Sequence, residues 1–252
     1  MDVNEILARF DRQIRQQPRE GPGALVEHDP GVVRVLHAAD GWTGIPWSGL
    51  GDLDADAVIA AQIRRFAQAG VAWEWKLYSH DQPHDLADRL LDAGFEPGPA
   101  EALLVAEVEA LPREPSPPEG VRLVPVTDAE GAEHVVRLHD EVFGGDHAAV
   151  GRLLLERPDD VRAVVAMAGD RPICAGRVEL HRGTEFASLW GGGTDPQWRG
   201  RGVFKAVVAW RAARAAEAGL RYLQVDASDD SRPILQRLGF ERLATTIPFV
   251  HG

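Results

Sequence analysis

The chain has 252 residues, of which 44% are hydrophobic and 26% charged, enough for two small domains and too apolar for wholesale disorder. No stretch reaches the ~18 uninterrupted apolar residues of a membrane span, the opening Met1-Asp2-Val3-Asn4-Glu5 lacks the parts of a secretory signal, and the single cysteine, Cys174, excludes an intrachain disulfide and a cysteine-rich zinc site. The net charge of −12 falls mostly on residues 1–112, with 19 acids against 9 bases, a surface that aids solubility, repels nucleic acid and attracts cations such as amines.

These features predict a cytoplasmic protein with no membrane and no nucleic-acid partner. In chain order, Trp42 and Trp47 fall in a Gly/Pro loop. Three carboxylates then gather at Asp52, Asp54 and Asp56, ahead of a predicted helix over 56–69 that Gly70 closes. A strand is predicted over 71–78, where Trp73 and Trp75 alternate with polar neighbours and read as packing. A short helix over 86–93 runs into Gly94-Phe95-Glu96, and a strand over 102–108 follows. His80 and His84 have the spacing of a helical metal pair, but Pro83 interrupts it and no third ligand is evident, so no metal is expected.

Pro112, Pro115, Pro117 and Pro118 exclude helix and central strand and favour a stiff, extended spacer. The predicted division is therefore a lobe over 1–111, a linker over 112–120 and a second lobe over 121–252. The second lobe opens with an apolar run over 121–126, and Asp128 can cap a helix containing Val135, Val136 and Leu138. A shorter helix around 148–156 stops before Pro158. Strands over 161–168 and 173–180 flank the turn Gly169-Asp170 and form a hairpin, and a third strand over 185–194 ends in glycines. Helical spacing runs through 203–218 to a closing Gly219, followed by a strand over 222–227, a short helix over 232–238 and a last strand over 241–249. Strand, long helix and strand in succession imply a right-handed parallel crossover. The fold class is α+β, a mixed and mostly antiparallel sheet with flanking helices and one β-α-β crossover.

The first lobe echoes the end of the second. Each has a helix closed by glycine, a strand, a short helix running into Gly-Phe-Glu (94–96 and 239–241) and a closing strand. The two differ ahead of the long helix. The second lobe has Arg199-Gly200-Arg201-Gly202, where a glycine turn lets backbone N–H groups converge at a helix start beside two forked cations, a cradle for phosphate. The first has carboxylates there, which satisfy the helix dipole themselves and repel phosphate.

The order of strand, Pro, Arg-x-x-Gly, helix, strand, short helix and Gly-Phe resembles the GNAT superfamily of N-acetyltransferases, over about residues 121–252 and more faintly over 45–110, in a tandem arrangement with a degenerate first copy. The superfamily's loop, Arg/Gln-x-x-Gly-x-Gly/Ala, falls on Arg199-Gly200-Arg201-Gly202-Val203-Phe204, with Phe204 standing where a small residue is usual. The resemblance implies acetyl-CoA as co-substrate, with Gly192, Gly193 and Thr194 along its pantetheine arm and Ser228 at a cofactor-contacting position. It implies transfer of acetyl to a primary amine of a small molecule or peptide, by a monomer or a homodimer.

Two side chains usual in that superfamily are missing: its strand glutamate falls on Ser188 and its helix tyrosine on Leu235. On the strand over 222–227 the period of two puts Gln224, Asp226 and Ser228 on one face, which makes Asp226 the candidate to take the amine proton through water, against a loop-capping role. Glu179 and His181 share a face of the hairpin that reads as solvated, and Cys174 reads as core. The rival function is a non-catalytic acyl-CoA-binding or regulatory module.

Overall fold

The computed structural model describes residues 2–18, 21, 23–37 and 41–252, which fall into two units. The first comprises residues 1–103 with 226–232 and 242–252, and the second comprises 104–225 with 233–241. The last strand of the chain thus counts with the first half, and the Pro-rich stretch lies among the residues of the second unit.

In the first unit, α1 (Val3–Phe10) is capped by Asp2, whose carboxylate accepts from the amides of Asn4 and Glu5. Strands β1 (Ala24–Asp29) and β2 (Val32–His37) form a hairpin, and β3 (Gly44–Ser48) pairs antiparallel with β2. The expected Gly/Pro loop is therefore a strand at Trp47, with Trp47 opposite Val33. Pro46 falls where the β2–β3 register shifts, between Val33↔Trp47 and Val35↔Gly44, so no ladder bond there needs the N–H it lacks, and its carbonyl accepts from Arg15 Nε at 2.9 Å. Helix α2 (Ala55–Ala67) carries the chain to β4 (Trp73–Tyr78), which lies parallel to β3. Short α3 (Leu86–Asp92) and β5 (Glu96–Pro97) follow, and then β6 (Glu101–Glu107), whose residues divide between the units.

Strand β12 (Glu241–His251) pairs antiparallel with β4 from Thr246↔Tyr78 to His251↔Trp73. Its Phe249 joins a core of Ile45, Leu50, Ile59, Phe66, Trp73, Trp75 and Phe95. There the Phe66 and Trp73 rings stack at 4.0 Å and Phe95 meets Trp73 edge-on at 5.0 Å. The apolar alternation of β4 thus serves packing.

The second unit follows the predicted order closely. Its strands lie in the order β6, β11 (Tyr222–Ala227), β10 (Phe186–Thr194), β9 (Arg171–Leu180), β8 (Val161–Ala168) and β7 (Val121–Pro125), with only β10 and β11 parallel among the pairs whose register is described. Asp128 caps α4 (Ala129–Phe143) by accepting from the Gly131 amide at 2.9 Å. Helix α5 (Ala148–Glu156) follows, and Val135, Leu138 and Leu154 of these helices pack on Val161, Ala163, Val165 and Ala175. The neighbouring Gly176 instead meets Arg211 of α6 (Val203–Glu217), so α6 covers the opposite face of the sheet. Short α7 (Arg232–Arg237) then leads toward β12. The fold is a mixed α/β arrangement with mostly antiparallel pairing, as expected.

Candidate cofactor-binding site

The parallel ladder of the second unit is short. Strands β10 and β11 pair at Phe186↔Tyr222, Ala187↔Leu223 and Ser188↔Gln224, and the ladder ends there although β10 runs on to Thr194. On its other edge β10 keeps β9 but carries one extra residue between Trp190↔Arg177 and Gly193↔Ala175, a bulge that turns the strand where the ladder stops. The glycines expected to line the pantetheine sit in this bulge. A Cβ on Gly192 would stand 2.9 Å from the Phe204 ring, and one on Gly193 would stand 2.9 Å from the Phe143 ring. Gly191 combines a φ of +57° with the His139 ring beside it, and its carbonyl is 2.9 Å from His139 Nε2. Burial holds that imidazole well below its ordinary value, at about 4, so it is neutral at physiological pH.

Thr194 ends the strand, and its hydroxyl donates to Cys174 Sγ at 3.1 Å. Cys174 is core, as expected, and burial pushes its thiol up to about 11. Beyond it Asp195 locks the turn, accepting from the Gln197 amide at 2.8 Å and from Arg171 at 2.6 Å. Arg199 Nε donates to the Thr194 carbonyl at 3.3 Å, and the Arg201 guanidinium lies 4.9 Å over the Trp198 ring. Both arginines, Lys205 and the two glycines between them are exposed. Gly200 and Gly202 have φ of +75° and +84°, and a Cβ at either would meet nothing within 4 Å. Glycine is needed here for backbone conformation rather than for room. Helix α6 starts at Val203 with no side-chain cap, so its first amides remain unpaired within the helix.

The equivalent helix of the first unit is closed. Asp54 caps α2 by accepting from the Ala57 amide at 3.1 Å, and Asp56 is paired with Arg89 at 2.8 Å. Phe204, the departure from the usual loop, fits because Gly192 has no side chain where the ring lies; Arg211 is 5.8 Å from its centre. That guanidinium is buried and donates to two backbone carbonyls, of Val207 and Arg177, and burial pulls it down to about 10.

Asp226 and Ser228 belong to the residues of the first unit. Asp226 Oδ2 accepts from Lys76 Nζ at 2.5 Å, with the Asp226 side chain 4% exposed, so its charge is already matched by a lysine. The nearby carboxylate holds Lys76 above the ordinary lysine range, against the opposing effect of burial. Ser228 is exposed, and its carbonyl accepts from the amides of Ser231 and Arg232 at the start of α7. Leu235, at the tyrosine position, is buried. Of the two tyrosines, Tyr78 is buried with its hydroxyl pushed up by burial, and Tyr222 packs on Phe186 at 5.0 Å.

The reading of Glu179 and His181 as a solvated face does not hold. Glu179 is paired with Arg177 at 2.9 Å, and His181 Nε2 lies 2.5 Å from the hydroxyl of buried Ser188. Gln224 Nε2 donates to the same hydroxyl at 2.5 Å. This trio was missed because His181 follows the end of β9, where strand parity no longer applies. The signal available was the hairpin register, which sets Ser188 opposite Glu179 and brings the turn after Leu180 alongside.

No protein-family model matches the sequence, and no curated protein matches it. Solved structures do. A GCN5-related N-acetyltransferase from Kribbella flavida superposes with a TM-score of 0.73 at 20% identity, over 99% of this chain and 95% of that one. A tandem GNAT protein from the clavulanic acid biosynthesis pathway gives 0.63 at 14% identity, over 92% and 84%. A GCN5-related N-acetyltransferase from Sphaerobacter thermophilus gives 0.62 at 11% identity, over 98% and 84%. The uncapped long helix and the forked parallel strands thus sit in a chain whose fold is that of the GCN5-related N-acetyltransferases, in their tandem form.

Proposed function

We propose that the protein is an N-acetyltransferase that moves an acetyl group from acetyl-CoA to a primary amine of a small molecule or peptide. The observation that carries this reading is the contrast between two equivalent helix starts, one filled by Asp54 and one left open between Arg199, Arg201 and two left-handed glycines. The open start suits a diphosphate: unpaired amides and two forked cations belong to one exposed turn. Arg199, Gly200, Arg201, Gly202, Val203 and Phe204 would hold the diphosphate, and Gly192, Gly193 and Thr194 the arm that follows. Ser228 is retained as a further contact. When bound, acetyl-CoA supplies an acetyl group activated as a thioester. The protein must then present a neutral amine. For a lysine-like amine with a pKa of about 10.4, deprotonation at pH 7 costs about 4–5 kcal/mol.

The functional division remains that of the sequence, with 1–111 acidic and degenerate, 112–120 a spacer and 121–252 the cofactor lobe, although residues 226–232 and 242–252 belong to the first compact unit and the spacer to the second. The acidic half draws cationic amines toward the protein. The protein works in the cytoplasm, without a metal, as a monomer or a homodimer. The paired state of Asp226 and the leucine at position 235 favour a second reading, a non-catalytic acyl-CoA-binding module. Isotope-labelled acetyl-CoA offered with a panel of amines separates the two. Label transferred to an amine supports the enzyme, and CoA binding without transfer to any acceptor supports the module.

A further inference from the structure

We propose that Ser188, backed by His181 and held by Gln224, takes the proton from the acceptor amine. This inference rests on the acetyl-transfer reading above. Ser188 forms the last rung of the parallel ladder, where β10 and β11 stop pairing, and its side chain is buried. Its hydroxyl can donate only one hydrogen. Gln224 Nε2 donates to the oxygen, and with the imidazole proton on Nδ1 the hydroxyl hydrogen points at His181 Nε2, each contact being 2.5 Å. A hydroxyl that accepts from an amide and donates to an imidazole is the arrangement that activates serine as a proton carrier. The turn fixes the histidine: the Thr184 hydroxyl and amide both donate to the His181 carbonyl, and the His181 amide reaches the Phe186 carbonyl at 3.3 Å.

A second observation points to a ligand. Gln224 is 3% exposed, yet its Oε1 is buried with no hydrogen-bond partner among the described residues. Buried acceptors are rarely left so, and an N–H donor arriving at the fork would satisfy this one. An ammonium or amine brings such donors. A serine cannot take the proton alone, but a serine that passes its own proton to an imidazole can.

The balance is as follows. One proton leaves the ammonium for Ser188 Oγ as the Ser188 proton moves to His181 Nε2. The neutral nitrogen bonds to the acetyl carbon, the carbon–sulfur bond breaks, and the next proton of the amine ends on the sulfur. His181 returns its proton to solvent. Ser188 is the catalytic residue, and His181 and Gln224 position it.

Side-chain nitrogen NMR of the free full-length chain at neutral pH tests the relay without any substrate. His181 Nε2 is expected to be unprotonated, with a signal that moves in Ser188→Ala. An Nε2-protonated tautomer overturns the proposal, because that nitrogen would then be a donor. The kinetic test compares a lysine-like alkylamine with a weakly basic amine that is already neutral at the assay pH. Ser188→Ala and His181→Ala are expected to lose about 100-fold or more in kcat on the alkylamine and far less on the weak base, with calorimetric CoA affinity unchanged. Added imidazole is expected to restore part of the His181→Ala rate. Equal losses on both amines, or no loss, overturn the relay while leaving acetyl transfer standing. A wild-type chain that binds CoA and acetylates neither amine overturns the reaction itself.

Discussion

The open start of α6 can be closed with the residue type that closes α2. Gly202→Asp places a carboxylate where the second unit has none and the first has Asp54. The folding cost is modest: a Cβ at 202 meets nothing within 4 Å, so the penalty is the left-handed φ of +84°. That strain is about 1–2 kcal/mol, partly offset if the carboxylate caps the helix, so the melting temperature should fall by only a few degrees, at about 2–4 °C per kcal/mol. Binding suffers more. A carboxylate ~4 Å from a phosphate charge is repelled by about 1 kcal/mol in bulk water and about 4 kcal/mol at an effective dielectric near 20. CoA affinity should therefore fall by about 5-fold to 1000-fold. Gly202→Ala carries the strain without the charge and serves as the comparison. Calorimetry with CoA and a thermal melt on both variants give the answer, and the excess loss in the aspartate variant should shrink in high salt. A folded Gly202→Asp protein that binds CoA as tightly as Gly202→Ala refutes the phosphate cradle.

Two further outcomes follow from the bulge in β10. Gly192→Ala puts a methyl group 2.9 Å from the Phe204 ring and is expected to cost about 1–3 kcal/mol by overpacking; Phe204→Ala in the same chain should recover part of it, and additive effects in a denaturant-based double-mutant cycle would sever the link. His139 is held at about 4, below the ordinary 6.5, so the unfolded chain binds more protons between those values and stability is lost as pH falls through that window, by about 3 kcal/mol. His139→Gln should flatten that part of the acid profile, and an unchanged slope in urea titrations at pH 7 and pH 4 would refute it.

The second unit was legible because its signals are local. Asp128 lies three residues before the amide it caps, Gly169 and Gly219 adopt the left-handed turns their neighbours call for, and α6 ends at Glu217 just before its glycine. The turn at Arg199–Gly202 and the helix start that follows it were legible for the same reason. The start of the first unit was not. β2 is buried along almost its whole length, so it offers no alternation to read, and Pro46 disguises β3 as a loop. Where β12 goes is decided by partners roughly 170 residues earlier in the chain, through Phe249 and the tryptophans of β4, and no local pattern encodes that. The same holds for the proton path: Lys76 claims Asp226 across 150 positions, and His181 reaches Ser188 only through the hairpin register.

Because residues 242–252 complete the core of the first unit, cutting the polypeptide at its proline-rich stretch would leave that core without Phe249 and its strand β4 without an antiparallel partner. The first unit therefore cannot be separated from the rest by a cut at that stretch. Synthesis must pass through residues 242–252 before the earliest-made strands of the first unit have all their partners.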